Sequence, residues 1–172
     1  IRSEISAEIG LKSDIQVVIG LNDGASAALG NGLVKSGEVV ITLGTNGVVF
    51  LVTDKPVPPA MRVEQAIFCW PYVDDRWIIG GQTRTGASSL EWMVGILQDK
   101  KPNIDDFENY LQACSDTPAG SNGVLFFPYL IGRGTPDDDP TVSAGFVGLK
   151  MHTNQNDLVH AVLEGVSFSL RE

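Results

Sequence analysis

The sequence has few residues suited to binding a transition metal or forming a disulfide. It contains two cysteines and two histidines among 172 residues. Cys69 and Cys114 stand far apart, outside any CxxC or Cys/His pattern, so we expect two buried thiols of a reducing compartment. His152 and His160 lack partners at ligand spacing, and we expect them on the surface or in a helix. No residue is therefore assigned to a metal.

Basic residues are also scarce. Twelve Lys and Arg residues stand against 21 Asp and Glu residues, which gives a formal net charge of −9. This balance argues against nucleic acid and against anionic membrane surfaces as partners. It does not exclude phosphate, because a glycine-rich loop binds phosphate through backbone N–H groups.

Long apolar segments are missing as well. No run approaches the ~20 residues that a membrane helix needs, and no secretory signal pattern is present. The sequence therefore predicts a soluble, cytoplasmic protein. Both ends lack the features of natural termini, since residue 1 is Ile and the last helical pattern stops without a C-cap glycine. We interpret residues 1–172 as a fragment truncated at both ends.

Short apolar runs separated by glycine and proline are plentiful. Their periodicities predict a helix over Ile1–Gly10, a buried strand over Ile15–Gly20, a helix opening at Asp23, and strands over Glu38–Leu43 and Val48–Val52. The two last strands are joined by GTNG, and an Asn-Gly pair between β-branched runs is a strong hairpin signal.

The second half of the sequence alternates strand and helix patterns. It predicts a loop over Thr53–Glu64, followed by strands over Ala66–Tyr72 and Arg76–Gly81 around the Asp74–Asp75 turn. Helices are predicted over Gly86–Leu97 and Ile104–Cys114, and a strand over Gly123–Leu130. A loop over Gly132–Leu149 then leads to a final helix that begins near Asn154 to Asn156. Antiparallel strands followed by alternating helices and strands predict an α/β or α+β layered domain.

Asp23 has two interpretations from its position alone. An aspartate immediately before a helix is a preferred N-cap, because its carboxylate accepts a hydrogen bond from the first turn. A carboxylate held between a buried strand and a helix start is also well placed as a general base. Position alone favours the cap.

The GTNG segment, Gly44 to Gly47, is likewise open to two interpretations. It is a hairpin turn, and successive N–H groups at such a turn, with the Thr45 hydroxyl, also form an anion-binding concavity. It is neither a GxxxxGK[ST] nor a GxGxxG loop. The acidic run Asp137–Asp139 lacks EF-hand spacing and is expected to be a solvated loop. We expect Trp92 to pack in the core.

The order of the segments resembles one known family. The stretch VVIGLNDGASAALGNGLVKSGEVVITLGTNGVVF is similar to the FGGY carbohydrate kinase pattern of a strand, G-x-x-D-x-x-A-x-x-x-G and then G-x-x-x-x-x-L-G-T-S. The stretch LFFPYLIGRGTPDDDPTVSAGFVGLKMHTNQNDLVHAVLEGVSFSLRE resembles the second signature of that family, and TRTGASSLEWM stands where the family has a small-residue helix ending in Trp. The resemblance covers nearly the whole chain and is closest in kind to xylulose kinases.

This resemblance implies a fold and a reaction. The expected fold is an actin-like, ribonuclease-H-like α/β domain with a mixed sheet, an antiparallel hairpin and flanking helices, one half of a two-domain sugar kinase. Asp23 is implied as the catalytic base, Gly44 and Thr45 as contacts to the nucleotide phosphates, and Gly86 and Ala87 as residues near the nucleotide. ATP and Mg²⁺ are the implied cofactors.

The implied function of the full-length protein is ATP-dependent phosphorylation of a sugar, with a pentulose such as xylulose as the substrate. Gluconate, glycerol and other polyols remain alternatives, because the N-terminal domain with the sugar contacts and the adenosine loop beyond Glu172 are not in this sequence. A homodimer is also left open. The partners are thus a sugar, ATP and the missing domain.

Three positions depart from the family pattern, and they keep other function classes open. Asn46 replaces the serine of LGTS, Gly132-Arg133-Gly134 lacks the glutamate of the usual G-E-R loop, and His160 stands where the helix usually has Arg. The changes at Asn46 and at Gly132-Arg133-Gly134 favour one alternative, a catalytically silent module that binds nucleotide or sugar. A purely structural interaction domain is the third interpretation.

Overall fold

The computed structural model of the protein describes residues 2–12, 14–16 and 18–172. The elements in chain order are α1 Ser3–Glu8, α2 Asp23–Gly30, β1 Val39–Leu43, β2 Gly47–Thr53, α3 Pro59–Glu64, β3 Phe68–Pro71, β4 Trp77–Gln82, α4 Ala87–Gln98, α5 Ile104–Ala113, β5 Leu125–Phe127, β6 Gly145–Val147 and α6 Gln155–Arg171. Helices and antiparallel strands are mixed, as the sequence predicts.

The first layer is a four-stranded antiparallel sheet in the order β1-β2-β4-β3. Its β-branched strands present one face to α2, where Phe50, Val52 and Ile78 are buried together with Ala25 and Ala28 of the helix. The small side chains of α2 allow this close packing, which fixes the start of α2 beside the sheet.

The second layer packs α4, α5 and α6 around the short β5–β6 ribbon. Val159 and Val162 of α6 are completely buried there, beside Met93 of α4 and Phe126 of β5. A local signal determines where α6 begins, because the Asn154 side chain accepts a hydrogen bond from the N–H of the residue three positions on, and that residue's carboxylate accepts one from the Asn154 N–H. The predicted start of the last helix is confirmed.

The end of α6 reaches back to the first layer. A Cβ added at Gly47, the first residue of β2, would lie 2.6 Å from Leu170 Cδ2. The helix therefore packs against the base of the β1–β2 hairpin, and it fixes the hairpin relative to the second layer.

The strand predicted over Ile15–Gly20 is wrong for the described residues of that range; Val17 lies outside them. Residues 15, 16 and 18–20 are irregular, and Val18 and Ile19 are 80% and 95% exposed. A β-branched run forms a strand only where a neighbouring strand takes its backbone hydrogen bonds. In the described part of the chain, no strand pairs with this segment.

Other differences concern element ends and short elements. The predicted loop over 53–64 contains helix α3, which begins at Pro59, a position where the missing N–H of proline costs nothing. The predicted loop over 132–149 contains β6, which pairs with β5. The strands predicted over 66–72, 76–81 and 123–130 are observed as the shorter or shifted β3, β4 and β5.

Several single-residue expectations can be compared directly. Cys69 and Cys114 are both buried and free, as predicted. Trp92 stacks on Phe126 with ring centroids 5.9 Å apart but stays 37% exposed, so the core role is confirmed in part. Among the residues described, none of the helices combines the length and apolar character that a membrane crossing requires.

Candidate active site

The GTNG segment forms the tip of the β1–β2 hairpin, as predicted. Leu43 and Gly47 are the last residues paired across the two strands, so Gly44, Thr45 and Asn46 make the loop. The Gly44 N–H donates to the Asn46 carbonyl over 2.9 Å and closes that loop.

The start of α4 holds this hairpin tip. The Gly86 N–H donates to the Thr45 carbonyl over 2.7 Å, and the Ala87 N–H donates to the Gly44 carbonyl over 2.8 Å. The Ser88 hydroxyl donates to the same Thr45 carbonyl over 2.7 Å. The structure thus brings together Gly44, Thr45, Gly86 and Ala87, which the sequence placed in two separate segments.

Thr83 is a supporting residue that sequence reasoning missed. Its buried hydroxyl accepts a hydrogen bond from the Gly47 N–H over 2.9 Å and donates one to the Thr85 carbonyl over 2.8 Å. It therefore joins the hairpin to the segment that leads into α4. The polar run QTRTG directly after an apolar strand was the available signal.

Only part of the backbone at the tip remains free for an anion. The N–H groups of Gly44, Gly47, Gly86 and Ala87 all donate within the protein. The N–H groups of Thr45 and Asn46 and the Thr45 hydroxyl have no hydrogen-bond partner among the described residues. An anion at the tip would meet these three donors, close to the positive end of the α4 dipole.

Asp23 is the first residue of α2, and it is not the helix cap. The cap is Asn22, whose side chain accepts a hydrogen bond from the Ala25 N–H over 2.8 Å. Asp23 Oδ1 instead accepts one from the adjacent Gly24 N–H, also at 2.8 Å. The cap interpretation of Asp23 is therefore wrong, because the neighbouring asparagine already performs that function.

Asp23 and the hairpin lie on one cleft. A cavity of about 520 Å³ is lined by Asp23 and by Thr42 and Val48, which are paired next to the hairpin tip. A second, more polar cavity of about 270 Å³ is lined by Asn46, Arg84 and Asp138. Both cavities are lined by Phe68 and Gln82, so they adjoin. We call these two adjoining cavities, one lined by Asp23 and the other by Asn46 of the tip, the groove.

The acidic loop is exposed, as predicted, but arginines and hydroxyls hold its carboxylates. Asp137 Oδ2 lies 3.0 Å from Arg133 Nη1, and Asp138 Oδ1 lies 2.7 Å from Arg84 Nη2. Hydrogen bonds from the Thr141 hydroxyl and N–H hold the pKa of Asp139 below its ordinary value. Within residues 2–12, 14–16 and 18–172, no group of three or more acidic, His or Cys side chains is arranged to hold a metal.

The histidines lie away from the groove residues. His152 is exposed, and His160 on α6 lies with Nδ1 2.9 Å from the hydroxyl of buried Ser121. Glu164 completes this cluster: burial opposes its ionisation, but hydrogen bonds from Ser121 and from the Gly120 N–H hold its pKa below the ordinary value. The cluster ties α6 to the turn before β5.

A solved structure defines the fold class. The xyloylose kinase from Brucella ovis superimposes with a TM-score of 0.79 at 31% identity, over 99% of this chain and 34% of that one. Mixed helices and antiparallel sheets in this arrangement make the chain an actin-like, ribonuclease-H-like α/β domain, as the resemblance implied.

The sequence comparisons give the family. Residues 39–172 match the FGGY family of carbohydrate kinases, C-terminal domain. The chain therefore belongs to the FGGY family of carbohydrate kinases.

Two curated relatives illustrate its position in the family. A gluconokinase of Bacillus subtilis is 32% identical over 97% of this chain and 33% of its own length. A xylulose kinase of Staphylococcus xylosus is 29% identical over 98% of this chain and 34% of its own. The chain thus spans about one third of the length of the curated relatives it matches.

Proposed function

We propose that the full-length protein transfers the γ-phosphoryl group of ATP to a hydroxyl of a small sugar, with a pentulose such as xylulose as the substrate. The observation that carries this proposal is the groove itself: Asp23 and the hairpin residues next to the tip, Thr42 and Val48, line one cavity. Phosphoryl transfer needs mainly positioning and charge stabilisation, and the groove places a candidate base beside the hairpin that carries the candidate anion donors.

Asp23 is the general base in this proposal. Its carboxylate takes the proton of the attacking sugar hydroxyl while that oxygen bonds to the γ-phosphorus, and ADP leaves with the electrons of the broken P–O bond. Since Asn22 caps α2, the Asp23 side chain is not required to hold the helix start.

Thr45 is the main phosphate contact. Its hydroxyl and N–H and the Asn46 N–H are the three hydrogen-bond donors of the proposed anion-binding site, the phosphate cradle at the hairpin tip. Gly44, Gly86 and Ala87 contribute by shape, because their N–H groups already hold the tip in place. Mg²⁺ would reach the site bound to the ATP phosphates and would help to neutralise their charge there, and no residue of the chain is assigned to it.

Residues outside this chain would decide the substrate, since the chain spans about one third of the length of its curated relatives. We propose that an N-terminal domain closes the other side of the groove and contacts the sugar, and that the protein works in the cytoplasm, where two free thiols stay reduced. Relatives named for xylulose and for gluconate are similarly close to this chain. Pentuloses are therefore the first substrates to test and gluconate the second.

The direct experiment is a coupled ADP-release assay on the full-length protein. Xylulose, ribulose, gluconate and glycerol are each offered with ATP and Mg²⁺, and we expect turnover with a pentulose. Turnover with gluconate alone would correct the substrate and keep the reaction. Nucleotide binding without turnover on any sugar or polyol would favour the silent module, for which Asn46 and Gly132-Arg133-Gly134 are the motivating departures. The isolated 172-residue chain should show only background turnover.

A further inference from the structure

We propose that Arg84 and Asp138 form a clamp that positions the hairpin tip for phosphate binding. Both are positioning residues, since they act through the backbone of the tip and the start of α4. The inference deepens the proposed kinase function, because the element they position is the proposed phosphate cradle.

The clamp joins the start of α4 to the loop before β6. Arg84 Nη2 donates to Asp138 Oδ1 over 2.7 Å, and Nε donates to the same oxygen over 3.2 Å. Nε also donates to the Arg133 carbonyl over 3.0 Å. The planar guanidinium is thereby fixed by two partners of one loop, a geometry that lysine cannot reproduce.

The loop that receives Arg84 is itself fixed to the sheet. Arg133 and Asp139 exchange two backbone hydrogen bonds, of 2.8 and 3.1 Å, which close the loop on itself. The Thr135 N–H donates to the Gln82 carbonyl over 3.0 Å, and the Gln82 N–H donates to the Thr135 hydroxyl over 3.2 Å. These hydrogen bonds hold the loop against the end of β4.

Arg84 lies in the short segment between β4 and α4 that makes hydrogen bonds with the hairpin tip and with Gly47 at its base. Thr83 precedes it and accepts the Gly47 N–H. Gly86 and Ala87 follow it and donate to the carbonyls of the tip. A shift of Arg84 moves both anchors together, and Asn46 lines the same cavity as the clamp. The position of the tip thus depends on the clamp.

Arg84 and Asp138 are partly exposed, so their ion pair should affect the position of the tip more than the stability of the fold. The Arg84 and Asp138 side chains are 32% and 48% exposed. Ion pairs at this exposure contribute little to folding, because water screens the charges and ordering long side chains costs entropy. Loss of the clamp should therefore alter the tip far more than the melting temperature.

The experiment compares Arg84→Gln, Asp138→Asn and the double variant in the full-length protein. Amide hydrogen exchange at Gly47, Gly86 and Ala87 should be faster in all three, since these amides make the contacts between the tip and its support. In the kinase assay, the KM for ATP should rise or kcat should fall roughly ten- to a hundredfold. The double variant should match Arg84→Gln, because that change removes both partners of the guanidinium, whereas Asp138→Asn leaves the hydrogen bond to the Arg133 carbonyl and should have the smaller effect.

A second arginine–aspartate pair supplies the matched control. Arg76 Nη1 lies 3.2 Å from Asp74 Oδ2 at the β3–β4 turn, and the two side chains are 30% and 76% exposed. Arg76→Gln and Asp74→Asn should leave exchange at the three amides and the ATP parameters unchanged. The clamp is refuted if exchange at these amides is unaltered in Arg84→Gln, or if the control pair changes it equally. Amide exchange can be measured without turnover. If the full-length protein phosphorylates no sugar, the proposed function is refuted, and the exchange rates still show whether the clamp positions the tip.

Discussion

Gly86 and Asn46 meet backbone to backbone: a Cβ added at Gly86 would lie 2.6 Å from the carbonyl carbon of Asn46 and 2.7 Å from the nitrogen of Gly47. Backbone atoms cannot yield as a flexible side chain can. The contact therefore requires glycine at the start of α4, and it explains how the helix can approach the hairpin tip closely enough to donate to its carbonyls.

Gly86→Ala should displace the tip from α4. The extra methyl group forces the backbones apart, which costs about 1–3 kcal/mol of folding free energy when a packed contact is overfilled. In the full-length protein, we expect the efficiency of phosphoryl transfer to fall by up to about a hundredfold, because the cradle is misplaced. Steady-state kinetics with varied ATP measure this effect.

Gly95 of the same helix is the control for that change. A Cβ at Gly95 would meet nothing closer than 3.5 Å, which is an ordinary contact. Gly95→Ala should be neutral or should stabilise α4 by roughly 0.5–1 kcal/mol, since alanine loses less backbone entropy in a helix. If Gly86→Ala and Gly95→Ala have the same stability and kinetics, the close backbone approach at Gly86 is not required for phosphoryl transfer.

Thr83→Val tests the hydroxyl that joins β4 to the hairpin. Valine keeps the shape of threonine but leaves the buried Gly47 N–H without its acceptor. We expect a loss of about 1–3 kcal/mol in the free energy of unfolding, measured by denaturant titration. Thr53→Val is the matched change, because the Thr53 hydroxyl bonds to Lys55 at an exposed position; it should cost clearly less.

Local patterns predicted the parts of this fold that local interactions build. Helix α6 begins where the Asn154 capping box places it, and the hairpin forms at GTNG. Strand β6 was missed because it spans three residues and its register comes from pairing with β5. The apolar run at 15–20 was misread because a strand depends on a partner, which the run itself does not reveal.

The candidate site divides in the same way. Asp23 and Gly44 to Gly47 stand in recognisable motifs, so their sequence context was enough to single them out. Thr83 and Arg84 were missed because their partners lie 36 and 54 positions away in the chain. Asn22 was missed as the cap because two adjacent residues, Asn and Asp, are both good caps, and only the folded geometry shows which one accepts the hydrogen bond.

Low pH should lower the stability of the fold, because protonation of Asp157 weakens the hydrogen bonds that hold the start of α6. Hydrogen bonds from the Asn154 N–H and then the Asn122 side chain hold the pKa of Asp157 below its ordinary value of 3.8. A carboxyl whose pKa is lowered by folding stabilises the fold fully above its unfolded pKa, and this stabilisation is lost as pH falls through the folded pKa. Asp157→Asn should therefore melt lower than the parent protein at neutral pH.

The difference between Asp157→Asn and the parent should shrink as pH falls below 3.8, the ordinary pKa of this carboxyl. Melting curves of the full-length protein across this range measure it. Asp105→Asn is the control, since Asp105 is an exposed carboxylate in the first turn of α5. A gap for Asp157→Asn that stays constant with pH would mean that ionisation of this carboxyl does not contribute to stability.

Asp23→Asn should slow the chemical step strongly and leave the fold intact. Asparagine keeps the size of the side chain, and α2 retains its cap because Asn22 supplies it. Loss of a general base typically costs ~10²–10⁴-fold in rate, or about 3–5 kcal/mol of barrier. We therefore expect kcat of the full-length protein to fall by that factor, with the melting temperature nearly unchanged.

The adjacent residue gives the opposite pattern, which makes the pair decisive. Asn22→Ala removes the acceptor of the Ala25 N–H and should cost ~1 kcal/mol of stability while turnover per folded molecule changes little. Both variants are measured for kcat and melting temperature on the same samples. If Asp23→Asn turns over normally, Asp23 is not the base, whatever its melting temperature. If Asn22→Ala loses turnover as severely as Asp23→Asn without melting lower, the base depends on Asn22 for its position, and the two residues act as one unit at the start of α2.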